Sequence, residues 1–146
     1  MYSAADVIGE AVFISQTIHT SVYENCVHSV VSLLLSYSDG YYVGTGFFIK
    51  YKDKRGYIVT AAHNVVSNGQ TSSLILGNIA KGDGTHTVQV CTLVGVDPYG
   101  DVAVLYTNVG EDQPHLEWGD SLNTPIGSWV GTCLLYTSDA ADDGLS

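Results

Sequence analysis

Cations are scarce in this chain. Only 5 Lys and Arg side chains face 15 Asp and Glu, giving a formal net charge of −10. Four of the five cations are gathered in one short hydrophilic stretch, Lys50, Lys52, Lys54 and Arg55. A nucleic-acid groove needs many phosphate-neutralising side chains, so a nucleic-acid partner is not expected. Cysteines are few as well: Cys26, Cys91 and Cys133 are odd in number and show no CxxC spacing. That argues against a disulfide framework and against a thiolate metal site, and it suits Cys26 and Cys91 to the role of small buried hydrophobes. No apolar run approaches the roughly 20 residues that span a bilayer. The longest, around Val30 to Leu35, reads as a buried strand, and no membrane partner is expected. Met1 is followed by Tyr2-Ser3-Ala4-Ala5-Asp6, which has neither the basic nor the apolar region of a secretory signal. No compartment follows from the sequence.

What the chain does have is apolar material: 45% of its 146 residues are hydrophobic and mean hydropathy is +0.15, enough for the core of one ordinary domain. Short β-branched and aromatic runs alternate with clusters of Gly, Asn, Asp and Ser, and no 3.6-residue period stands out beyond the first twenty residues. The pattern predicts an all-β protein with strands near 28 to 37, 41 to 51, 56 to 61, 72 to 78, 85 to 97, 102 to 107 and 126 to 131, the spacing of sandwiches and barrels. Between the second and third runs, Tyr51 to Gly56 is charged and ends in glycine, which suits a hairpin turn. Gly44-Thr45-Gly46 lies inside a strand pattern, where glycine marks a bulge or a close backbone approach. One helical turn is expected after His63. Residues 4 to 18 read equally as a helix or an additional strand.

Chemistry concentrates at two strand ends. Tyr57-Ile58-Val59-Thr60-Ala61-Ala62-His63 delivers an imidazole at the end of an apolar run. Asp101 opens a second run, Asp101-Val102-Ala103-Val104-Leu105, 38 positions later. An unperturbed imidazole titrates near about 6.5, so it can take a hydroxyl proton at neutral pH and return it, provided something fixes its tautomer. A carboxylate on Nδ1 would do so. Asp101 follows Pro98-Tyr99-Gly100 and precedes an apolar strand; Asp97 competes for the role. His19, His28, His86 and His115 read as ordinary surface or satisfied core histidines. A metal site built from His63, His86 and Asp101 has no supporting HxH or HExxH spacing.

Taken together, Gly44-Thr45-Gly46-Phe47-Phe48-Ile49, Gly56 to His63 and Asp101 to Leu105 resemble the chymotrypsin-like (trypsin/HtrA-like) serine peptidases, nearest their bacterial, HtrA-like and viral branches. Ser29-Val30-Val31-Ser32-Leu33 resembles the first barrel strand of the same branches. The resemblance covers roughly residues 28 to 132. It implies an antiparallel Greek-key β-barrel, the first of two, plus the opening strand of the second. It also implies His63 as general base, Asp101 as the acid of the triad, a polypeptide substrate, and no cofactor or metal. Animal trypsins place a bridged cysteine after the histidine, whereas Asn64 stands here, so the digestive branch is disfavoured.

The nucleophile is missing from that pattern. In the chymotrypsin template it lies about ninety residues after the acid, and this chain ends 45 residues after Asp101. Gly119-Asp120-Ser121 is a tempting match, but Leu122-Asn123 follows instead of the glycines that line an oxyanion hole, so Ser121 reads as linker. The expected organisation is an N-terminal extension over 1–27, the barrel over 28–118, and a linker with the start of a second barrel over 119–132. Over 133–146 the run Cys133 to Asp143 resembles a translated sequencing adapter, the alternative being an acidic disordered tail. Without Asp139, Asp142 and Asp143 the charge of −10 becomes −7, still acidic. The chain thus reads as a truncated, inactive part of a serine endopeptidase. A 3C-like cysteine peptidase on the same fold and a non-catalytic pseudopeptidase or binding module are the alternatives.

Overall fold

The structure is a computed structural model that describes residues 20–81, 84–110, 112–128 and 132. Alternation along the apolar runs does what it predicts. In β1 (Val30–Tyr37), Val31, Leu33 and Leu35 point inward and lose all exposure, each burial being worth about 1.5–3 kcal/mol. The following strands are β2 (Gly40–Lys52), β3 (Arg55–Thr60), β4 (Val66–Ser67), β5 (Gln70–Thr71), β6 (Leu74–Ala80), β7 (His86–Asp97) and β8 (Val102–Asn108). Phe48, Ile58, Ile75, Ile79, Cys91, Ala103 and Leu105 complete the interior, with Val65 from the segment after β3.

Six of these strands form a closed antiparallel barrel in the order β1-β2-β3-β8-β7-β6. It consists of two meanders, β1-β2-β3 and β6-β7-β8, joined along two seams. Along the first seam Val31 pairs with Ile79, and along the second Thr60 pairs with Ala103. Because β6 returns to lie beside β1, the connection is a Greek key. The small hairpin of β4 and β5 stands apart. It was not expected, since two-residue strands are too short to show a period.

Asp53 and Lys54 close the β2–β3 hairpin with φ of 54° and 62°, Lys52 pairing with Arg55, as a two-residue turn of the primed kind requires. Gly46 is a close approach rather than a bulge: a Cβ there would stand 2.6 Å from Ile58 Cγ2 and 3.0 Å from the Val59 carbonyl oxygen. The bulge in β2 comes later, between Phe48 and Lys50. Cys91 is buried, and that burial pushes its thiol up to about 11; Cys26 is only half-buried.

Two expectations fall partly or wholly elsewhere. Of the strand predicted over 126 to 131, Ile126 and Gly127 form a turn, with φ of 88° at Gly127, and residues 129–131 lie outside the described residues. Residues 4 to 18 and Cys133 to Ser146 lie outside them as well.

Candidate active site

Ala61 is extended, and the chain then makes one helical turn, Ala62–Val65. Ala62 and Val65 are buried, and Val65 packs into the barrel interior, which anchors the turn. His63, between them in sequence, faces out with 72% of its side chain accessible. The helical turn expected after His63 therefore includes it.

Asp101 reaches the same place from the other meander. At the end of β7, Asp97 Oδ1 accepts hydrogen bonds from Tyr99 N at 3.1 Å and Gly100 N at 3.2 Å, a carboxylate-closed turn. Asp97 thereby shapes the loop and makes no bond to His63. Asp101 leaves that loop with φ 57°, a left-handed conformation that aspartate tolerates better than most residues. Because Thr60 pairs with Ala103, the end of β3 and the start of β8 are neighbours, and His63 and Asp101 meet across the seam.

Two bonds join them. The His63 backbone N–H donates to Asp101 Oδ1 at 2.9 Å, and His63 Nδ1 lies 2.8 Å from Oδ2. The backbone N–H of His63, then its ring, hold the Asp101 carboxyl below the usual carboxylate range. An ionised carboxylate only accepts, so Nδ1 carries the proton and Nε2 of a neutral ring presents a lone pair outward. The pairing thus fixes the tautomer and leaves Nε2 able to accept a proton.

The other residues singled out from the sequence are distributed elsewhere. Ser121 sits in an exposed 3-10 turn, Ser121–Asn123, capped by Asp120, and makes no hydrogen bond to His63 among the described residues. His86 opens β7, at the opposite end of that strand from Asp97, so it cannot join His63 and Asp101 around one ion. Among the described residues no three His, Cys, Asp or Glu side chains are grouped to hold a metal. His115 Nδ1 lies 3.0 Å from the Gln113 carbonyl oxygen, whereas the buried Nδ1 of His28 has no partner among the described residues.

Sequence reasoning missed the support behind His63. The Tyr37 hydroxyl donates to the Asn64 carbonyl oxygen, Asn64 Nδ2 donates to Thr60 Oγ1 at 3.2 Å, and Thr60 Oγ1 donates to the Thr45 carbonyl oxygen at 2.9 Å. The legible trace of it was one polar residue, Thr60, set in an otherwise apolar run.

No protein-family model matches the chain. The crystal structure of Deg5 superposes with a TM-score of 0.61 at 23% identity, covering 77% of this chain and 53% of that one. A curated protein of Bartonella henselae, described as "Probable periplasmic serine endoprotease DegP-like", is 37% identical over 87 residues, 60% of this chain and 15% of that protein. The fold is trypsin-like, of the HtrA kind. Secretory-abundant heat soluble protein 2 of Ramazzottius varieornatus is also similar, 33% identical over 81 residues, 53% of this chain and 47% of that protein. The chain thus spans about half or less of the length of each of these three proteins.

Proposed function

We propose that this chain contributes the general base and the orienting acid of a serine endopeptidase. The observation that carries the reading is the two-point attachment of His63 to Asp101, through the backbone N–H and through Nδ1. The similarity to a DegP-like endoprotease supports it. In the complete enzyme a serine outside this barrel attacks the carbonyl of a peptide bond. His63 Nε2 takes the hydroxyl proton, Asp101 stabilises the imidazolium by accepting from Nδ1, and the proton then passes to the leaving amine. On this reading the oxyanion donors and the pocket for the substrate side chain also lie outside this barrel. Residues 133–146 are read as not belonging to the native enzyme, and the chain as it stands is inactive.

The test is a reading frame extended past the codon for Thr132, expressed and assayed on an unfolded protein substrate. His63→Ala should lower kcat by about 10⁶-fold, as loss of the base does in such triads; unchanged proteolysis would sink the assignment. A fluorophosphonate should label a serine of the extended protein and nothing in the 146-residue chain. Labelling of Ser121 would overturn the linker reading, and labelling of a cysteine by iodoacetamide with loss of activity would replace serine by a thiol nucleophile on the same fold.

A further inference from the structure

A catalytic imidazole has to be held from two sides, and Asp101 holds His63 from only one. The other side is a chain of bonds through the next residue. Asn64 accepts through its carbonyl oxygen from the Tyr37 hydroxyl of β1, and donates through Nδ2 to Thr60 Oγ1 of β3, which itself donates to the Thr45 carbonyl oxygen of β2. Asn64 thus ties the helical turn directly to β1 and β3, and through Thr60 to β2. Thr60 is buried, so its bond to Asn64 is shielded from competing water. Space for the amide is provided by Gly44, where an ideal Cβ would lie 2.8 Å from Asn64 Nδ2 and 3.0 Å from Cγ. The amide therefore occupies a slot that any side chain at position 44 would invade.

We propose that Asn64 is a positioning residue for His63, with its amide in the Gly44 slot and its carbonyl oxygen on Tyr37 fixing the turn from which His63 reaches Asp101. The role deepens the proposed function and rests on it. Asn64 touches no reacting atom. It acts by restricting the peptide on the C-terminal side of His63, while Asp101 Oδ1 restricts the N–H on the other. With both restrained, the ring keeps the Nδ1-to-Oδ2 bond without having to search for it. A bond between side chains at i and i−4 joins neighbours on a helix face. Here it runs from a four-residue turn back into the strand, and so couples the turn to the barrel wall.

The measurement is exchange of the His63 Nδ1 proton with solvent, followed by NMR on the 146-residue chain, alongside amide exchange at Leu33 and Leu105 of the interior. Neither readout needs proteolysis. Asn64→Ala should speed Nδ1 proton exchange about tenfold, the factor that one net hydrogen bond represents, with Leu33 and Leu105 unchanged. Gly44→Ala keeps every bonding group and only displaces the amide; it should move the rate in the same direction, and it serves as the readout if Asn64→Ala does not fold. Wild-type exchange in both folded variants would overturn the positioning role and leave the proposed peptidase intact. A Nδ1 proton already in free exchange in the unaltered chain would overturn the His63–Asp101 pairing, and the positioning role with it.

Discussion

Two left-handed corners stand at opposite ends of one strand pair. At one end of β3 and β8, Asp53 and Lys54 turn the chain with φ of 54° and 62°; at the other, Asp101 does so with φ 57°. Arg55 pairs with Asn108 near the first, and Thr60 with Ala103 near the second. Seven residues of β8 at about 3.3 Å each put them roughly 20 Å apart. The φ values are alike, and the support is not. At the hairpin, the Lys54 carbonyl oxygen accepts from Val109 N at 2.8 Å, and neither turn side chain is needed for that bond. At Asp101 the side chain itself accepts two bonds from His63. A strained conformation held only by turn geometry invites a better turn residue, whereas one held by its own carboxylate marks a site.

The largest expected break in the comparison comes from making both corners Asn. On the proposed function, Asp101→Asn in the extended reading frame should lower kcat by about 10⁴-fold, because the amide no longer enforces the Nδ1–H tautomer. Asp53→Asn should leave steady-state hydrolysis unchanged. Equal effects at the two corners would erase the distinction.

Glycine should separate them by sign. Lys54→Gly removes the cost of a left-handed lysine, about 1–2 kcal/mol, against a smaller entropic penalty in the unfolded chain. A gain of about 0.5–1 kcal/mol in urea unfolding is expected. Asp101→Gly relieves the same strain but loses both bonds to His63, so no such gain should appear; a matching gain at both corners would mean that the carboxylate does not offset its own backbone.

Acid titration gives the smallest effect. The folded Asp101 carboxyl lies below its ordinary value near 3.8, so its contribution is full above that value and is lost as pH falls through the depressed one. The stability difference between the parent chain and Asp101→Asn should therefore narrow below about pH 4, while the gain from Lys54→Gly stays constant. Because half of the Asp101 side chain is exposed, the change is small and screened by salt. Urea midpoints at pH 7 and pH 3 check it.

Much of this was legible in the residues, for a definite reason. Six strands announce themselves because one face of each is buried and the other is not: β6 reads Leu74, Ile75, Leu76, Gly77, Asn78, Ile79, and alternates in burial along its length. His63 and Asp101 were legible because each ends or begins an apolar run, so the strand fixes its position along the barrel. Spacing by itself did not choose between Asp97 and Asp101, since both flank the same loop; the resemblance implied Asp101, and the backbone shows Asp97 occupied with Tyr99 and Gly100. The Asn64 support was not legible either, its partner Tyr37 lying 27 residues away in sequence. A period reports burial, and these bonds depend on register across three strands. Ile126 shows the limit of apolarity as a signal: it sits in a turn, fully exposed, with no strand beside it among the described residues.

The seam between β3 and β8 has a consequence for how the molecule comes together. Within each meander the strands are sequence neighbours and pair through short connections, whereas the seam joins partners such as Thr60 and Ala103 only after a long loop has closed. His63 comes from the first meander and Asp101 from the second. Neither half folding by itself brings base and acid within reach, so an imidazole locked on its carboxylate reports that the cylinder has shut.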